Sequence, residues 1–397
     1  MSLNKVLIAD CLKNFCCAGG DCELTCCMGW RIDIDDETVK KYKNCKDIKW
    51  REQFIANMQL PQAGEVFHTI KLNEAGACNF LSEQGFCTVQ QRFGTGYLSK
   101  VCNNYPRTYN VINNQYFEKN YYLSCPDVIK SLLLLEHKLT FSQVRENIVL
   151  NAVFINKHIK TKDIFDVDFY GLRAFIISVL QDDNYALKER LLILAYFFDS
   201  IKEIKDRQAL QEIIQMFSQM VASESIKDIL GGVKGDRDNY YELLQSIIKT
   251  IFSIAGHAEF KKYCEQMYYK LHLDKEARTN YFYLYDGYYE VFSKKNPFVL
   301  ENYLVYCVVS TLFPLDNTDM WDSFVQLIIR WTIINFCFMG LMSENATEIK
   351  ELEFLRCFAA FSRALDATSP SPINIVSENL KTEGKADIAY MFKLIRV

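Results

Sequence analysis

Leu210-Gln211-Glu212-Ile213-Ile214-Gln215-Met216-Phe217 carries apolar side chains at i, i+3, i+4 and i+7, and Leu244, Ile247, Ile248 and Ile251 repeat the pattern. That spacing lines four side chains along one face of a 3.6-residue helix, so both stretches are read as amphipathic helices buried by one stripe. No proline occurs between Pro126 and Pro297. Without that helix breaker the reading extends outward, to helices expected at Phe175 to Gln181, Leu187 to Lys205, Glu301 to Leu312, Trp321 to Met342 and Glu348 to Leu365. No fixed-period repeat is visible. Ser369 to Asn374, with two prolines, is read as a loop before a last helix. Gly231 to Gly235 has no preceding strand and is read as an interhelical turn, not a nucleotide-binding glycine loop.

The fold expected is mainly α, a helical array over residues 131–397 behind an N-terminal part, 1–130, of another character. Eleven of the fifteen cysteines fall between Cys11 and Cys125. The other four, Cys264, Cys307, Cys337 and Cys357, sit in apolar helical surroundings and are read as small buried hydrophobes. The N-terminal part is read as short strands and loops, with a hairpin where Val111 and Ile112 lead through Asn113 and Asn114 to Tyr116 and Phe117. His68 is taken as a strand residue. Asp33, Asp35 and Asp36 lack the glycine and terminal glutamate of a calcium loop and are expected to cap a helix beginning near Glu37.

The 397 residues are 50% apolar and 24% charged, with a formal net charge of −4, a balance that suits a folded core and offers no basic footprint for nucleic acid. The densest lysine run, Lys40, Lys41, Lys43, Lys46 and Lys49, is read as a solvated helix face. Val6 to Ala9 is too short for the core of a signal peptide. Phe324 to Met342 contains Gln326, Arg330 and Asn335, which argues for a buried core helix and not a membrane span. The chain is therefore expected to be soluble and cytoplasmic, where clustered cysteines serve as metal ligands or redox groups more than as disulfides.

Cys17, Cys22, Cys26 and Cys27 form C-x4-C-x3-C-C, and Cys78, Cys87, Cys102 and Cys125 follow in Gly76-Ala77-Cys78-Asn79-Phe80-Leu81, Gly85-Phe86-Cys87, Cys102-Asn103-Asn104-Tyr105-Pro106-Arg107 and Ser124-Cys125-Pro126. Thiolates are soft ligands for zinc or iron–sulfur clusters, which commonly take four. Eight candidates admit two metals, one cluster with spare thiols, or one cluster and an oxidation-formed disulfide. Cys22, Cys26, Cys87 and Cys102 stand first by motif context. Cys11, Cys16 and Cys45 fall outside the pattern and are taken as non-ligands. The spacing of Cys22, Cys26 and Cys27 is not the C-x3-C-x2-C of radical enzymes that use S-adenosylmethionine.

These residues resemble the flagellin lysine-N-methylase family, whose cysteine motifs are shared with the CxxCxxCC zinc- or iron-chelating proteins. The resemblance rests on Phe15 with Cys17, Asp21-Cys22, Cys26-Cys27-Met28-Gly29-Trp30-Arg31-Ile32, Cys78 to Leu81, Cys87, Cys102 to Arg107 and Ser124 to Pro126. It continues through Arg173 to Leu192, Glu301-Asn302-Tyr303 and Phe313-Pro314. It implies methyl transfer from S-adenosylmethionine to flagellin lysines by a protein carrying a 4Fe-4S cluster on its cysteines. Asn79 stands where the family usually has proline. No Rossmann-type donor site is visible, so the donor is expected beside the cluster, where Trp30, Arg31, Tyr105 and Arg107 follow ligand cysteines. Two other functions fit the residues, a metal-stapled protein-binding module, with zinc in place of the cluster, and a redox sensor.

Overall fold

The computed structural model describes residues 3–22, 24–29, 31–61, 67–149, 153–160, 169–204, 206–254, 258–271, 278–315, 319–341, 350–366 and 371–397. Helices dominate it, at Phe169–Leu180, Leu187–Ile201, Arg207–Ala222, Arg237–Ile254, Pro297–Ser310, Met320–Leu341 and Glu351–Leu365 among others. The periodic stripes face inward, Leu210 and Phe217 at 3% and 5% exposure and Leu244, Ile247, Ile248 and Ile251 at 1% or less. Met320–Leu341 is long and apolar enough to cross a bilayer, yet 83% of its most apolar stretch is buried inside the protein. Its arginine, Arg330, reaches Asp366 at 2.6 Å, so the charge within the span is paired.

Among the described residues eight strands accompany the helices. β1 (Asn4–Ala9), β5 (Arg107–Ile112), β6 (Tyr116–Tyr121), β7 (Phe141–Glu146) and β8 (Ile155–Ile159) form one sheet in the order β7-β1-β6-β5-β8. β2 (Asp33–Ile34), β4 (His68–Ile70) and β3 (Met58–Gln59) form a small antiparallel sheet, so His68 is a strand residue as expected. The expected hairpin is β5–β6, with Val111 opposite Phe117 and Ile112 opposite Tyr116. Asn113 and Asn114 have φ of 53° and 57°, and asparagine is among the few residues that accept this left-handed conformation at low cost.

β7 and β8 lie where the sequence reading continues the helical array. β1 pairs antiparallel with β7, and β5 pairs parallel with β8. The sheet therefore draws strands from both sides of residue 130. These two strands are polar, with Ser142, Gln143, Arg145 and Glu146 in β7 and Asn156, Lys157 and His158 in β8, and pairing with distant partners fixes them, not local periodicity.

Buried polar bolts hold the helices to this sheet. Arg173 pairs with Glu118 through both guanidinium nitrogens, Nη1 donating to Oε2 at 3.1 Å. Asn110 Nδ2 donates to the Ser310 carbonyl at 3.0 Å, and Tyr306 Oη donates to the Tyr121 carbonyl at 2.6 Å. Arg190 donates to Glu301 Oε2 at 2.5 Å, while Asn302 Oδ1 accepts from Leu139 N–H at 2.8 Å. A buried charge left unpaired would cost several kcal/mol (roughly 3–5), so each bolt tolerates few alternative arrangements.

Candidate metal centre

The described residues of 31–61 and 67–104 build a small lobe with its own core. Ile32, Ile34, Val39, Tyr42, Phe54, Ile70, Phe80 and Val89 are buried there, separate from the large core of the body. Tyr42 and Phe54 stack at 3.9 Å between centroids, and Phe80 packs 5.5 Å from Phe54. Asp35 caps Asp36–Lys43, its carboxylate accepting from Thr38 N–H at 3.0 Å and from Lys100 N–H at 2.8 Å. Of the three aspartates expected as caps, Asp35 is the cap, Asp36 opens the helix itself and Asp33 belongs to β2, and Asp35 also pins Lys100–Asn104, the helix that carries Cys102. Lys40, Lys43, Lys46 and Lys49 are exposed.

Four of the candidate ligands converge on this lobe. Cys78 N–H donates to the Cys27 carbonyl at 2.8 Å, and Leu81 bridges to Cys87. Cys87 occupies the N-cap position of the helix Thr88–Phe93. Cys78 belongs to the lobe's core, and Cys27, Cys87 and Cys102 pack against it. Cys26 stands against Cys27, and Cys17, Cys22 and Cys125 lie toward the body. Cys17 Sγ accepts from Gly19 N–H at 3.3 Å, and Ala18 N–H donates to Asp127 Oδ2 at 3.4 Å, which ties the Cys17 loop to the start of Pro126–Leu133. Cys125 is the N-cap of that helix and is buried. Cys22 lies within electrostatic reach of Cys17 and Cys125.

All fifteen cysteines are free thiols. Burial pushes Cys78 and Cys125 up to about 12 and Cys102 up to about 11, and raises Cys22 and Cys87. Cys26 donates its thiol proton to Cys27, which raises Cys26 and lowers Cys27 to about 7. Among the described residues no three His, Cys, Asp or Glu side chains stand close enough together to hold a metal ion as they are placed. The donor chemistry nonetheless suits a soft metal: eight thiols, seven of them half-buried or buried and only Cys17 exposed, no disulfide, and the Gly19 amide donating to the Cys17 sulfur. A bound soft cation supplies the positive charge that lets buried thiols ionise and act as ligands.

The extra cysteines stand apart. Cys16 is exposed, Cys11 lies against the body core, and Cys45 is buried beside Tyr97. Of the four residues expected to contact a donor, Trp30 lies outside the described residues. Arg31 pairs at the surface with Asp33 at 2.7 Å. Tyr105 is half-buried, its hydroxyl 3.0 Å from Ser124 Oγ and within reach of Cys125 and Cys26. Arg107 lies over the Phe15 ring at 5.4 Å and donates to the Phe15 carbonyl at 3.5 Å. Tyr105 and Arg107 are therefore brought to the seam between lobe and body, and Arg31 is not.

Two features of the body escaped the sequence reading. Gly231 to Gly235 connects two helices as expected, yet it also borders an open cavity of about 710 Å³ lined by Tyr196, Lys234, Asp236, Arg237, Phe392 and Lys393 among others. Lys188 is largely enclosed, donates to Tyr285 Oη at a π-helical turn, Tyr285–Tyr289, and is lowered by burial. A signal was present in both cases. Lys188 occupies the apolar stripe with Leu191, Leu192 and Ala195, where a lysine must find a partner.

With this geometry in place, a family model described as FliB lysine N-methylase C-terminal domain matches residues 173–394. The chain belongs to the FliB lysine N-methylase family. Over 216 residues it is 28% identical to proteins named lysine-N-methylase from Salmonella choleraesuis (strain SC-B67) and Salmonella typhimurium (strain LT2), covering 53% of this chain and 51% of each relative. Over 124 residues it is 35% identical to the flagellar biosynthetic protein FliU of Salmonella muenchen, covering 31% of this chain and 73% of that protein. The chain thus matches about half the length of the two lysine-N-methylases. No solved structure matches it. The FliB match covers the helical body from Arg173 onward, including Arg190, Glu301 and Lys188, and does not reach the eleven cysteines between Cys11 and Cys125.

Proposed function

We propose that this protein transfers a methyl group from S-adenosylmethionine to lysine side chains of flagellin, with an iron–sulfur cluster held by the N-terminal cysteines. The observation that carries the reading is the FliB match over residues 173–394, supported by relatives named lysine-N-methylase. In the reaction the lysine Nζ lone pair forms the new N–C bond as the methyl–sulfonium bond breaks. S-adenosylhomocysteine leaves, and the methylammonium proton passes to solvent. The amine must be neutral to attack, so the acceptor lysine needs a site that lowers its pKa. The donor's place is proposed at the seam, beside Tyr105 and Arg107.

The test is an anaerobic incubation of the reconstituted protein with S-adenosylmethionine and flagellin of the same organism, followed by peptide mass spectrometry. Methyl-sized increments on lysines are the expected result. A fully loaded protein that binds flagellin but adds no methyl group would instead favour the metal-stapled binding module. A spectrum that changes with peroxide, again without methyl transfer, would favour the redox sensor.

A further inference from the structure

The open cavity beside Gly231 to Gly235 is built wholly from the helical body, and every residue lining it lies inside the stretch that matches the FliB domain. We propose that it is a docking groove for an acidic, extended segment of the protein whose lysines are methylated, with carboxylates on Lys234 and Lys393 and an apolar side chain on the Tyr196 and Phe392 rings. The inference rests on the lysine-methylase reading for the identity of that partner.

The walls are fixed before any ligand arrives. Tyr196, in Leu187–Ile201, and Phe392, in Ile388–Ile395, set their rings 4.9 Å apart, and both are half-buried, so part of each ring stays open to solvent. Arg396 Nη1 donates to the Leu230 carbonyl at 2.7 Å, and a Cβ on Gly235 would stand 3.2 Å from the Arg396 carbonyl, so the loop lies tight against the chain end of this wall. Asp387 caps Ile388–Ile395 through Tyr390 N–H at 3.0 Å, and Trp321 Nε1 holds the Ala386 carbonyl at 2.8 Å. A preformed groove loses less freedom on binding. Five charged side chains line it, and the protein itself engages three: Asp236 accepts from Asn239 N–H at 3.1 Å, Asp238 pairs with Arg278 at 2.5 Å, and Arg237 grips Asp286 at 2.9 and 2.6 Å. Among the described residues neither Lys234, exposed on the loop, nor Lys393, 4.4 Å from the Tyr390 ring, has a carboxylate at ion-pair distance. Two ammonium groups from separate elements are thus left for an anion. Asp236 already takes an amide at the start of Arg237–Ile254, which turns a phosphate away from that helix end. Small molecules are held in cavities that enclose most of their surface, whereas this one is open, as an extended peptide with acidic side chains requires.

Fluorescently labelled flagellin of the same organism would be titrated with the full chain by anisotropy, at low and at high salt. Lys234→Glu combined with Lys393→Glu should weaken binding roughly tenfold at low salt and flatten its salt dependence. Lys249→Glu, an equal charge change on an exposed position outside the groove, should bind as the wild type does. Polyglutamate should displace flagellin from the wild-type protein. Should the double variant fail to fold, Lys234→Glu alone, a change on an exposed loop, gives the same reading with a smaller loss. Flagellin that does not bind the wild-type protein, affinity unchanged by the reversals, or an equal loss with Lys249→Glu overturns the proposal. Binding that needs both lysines in a protein that transfers no methyl group would keep the groove and count against the methylase reading; methyl transfer with affinity untouched by the reversals would count against the groove alone.

Discussion

At Glu301 a carboxylate 3% exposed faces a guanidinium, Arg190, that also donates to the carbonyls of Tyr185 and Leu180 at 2.8 Å each. The sequence resemblance singles out Glu189-Arg190-Leu191 and Glu301-Asn302-Tyr303, and the fold makes them one junction between helices far apart in the chain. Asn302 extends it, donating to the His137 carbonyl at 3.0 Å. Such residues hold the body together and touch no site. Glu301→Ala leaves the buried Arg190 charge with two carbonyls and the exposed Asp183 at 3.5 Å, and a loss of about 3 kcal/mol is expected, with Glu301→Gln milder because an acceptor remains. Urea unfolding at unchanged m-value checks this; a midpoint shift equal for both variants would show that shape, not charge pairing, matters here.

Among the elements, close helix contact gives a second expectation. A Cβ on Gly340, in Met320–Leu341, would overlap Met267 Cγ and stand 2.7 Å from its Cβ. Gly340→Ala should therefore destabilise by about 1–3 kcal/mol through overpacking, and adding Met267→Ala should recover part of that loss in a double-mutant cycle; purely additive effects would refute the contact. Legibility differs by element for physical reasons. Helices with a buried stripe were readable because their period is local, and Asn113-Asn114 marked its hairpin because few residues accept positive φ. Ser369 to Asn374, expected as a loop before a last helix, holds the start of one: Pro372 opens Pro372–Thr382 behind the Ser371 cap, since proline suits the first helical turn, and Ile388–Ile395 follows; positions 369–370 lie outside the described residues. β7 and β8 were not readable, as their partners are more than a hundred residues away or fixed only by register. The cysteines could be chosen by motif, but which segments approach one another could not, because contacts such as Ala18 N–H to Asp127 join parts of the chain far apart in sequence.

The whole molecule joins unequal parts. The small lobe's core is ten buried residues, two of them cysteines, while the body's core runs from Ile8 to Ile395. So small an apolar core contributes little margin, and domains of this size commonly need metal, disulfides or a partner to stay folded. The body has no such need, its helices packing through Phe197, Phe198, Phe324 and Phe338, each fully buried. Metal removal should therefore unfold the molecule in two stages. After anaerobic chelation, amide exchange should accelerate across residues 32–102, including the helices Asp36–Lys43 and Ile48–Asn57, while Leu187–Ile201 and Met320–Leu341 keep their protection. Loss of protection everywhere at once would mean that the seam at Cys125 couples both parts into one cooperative unit, and unchanged exchange would mean that the lobe folds without metal.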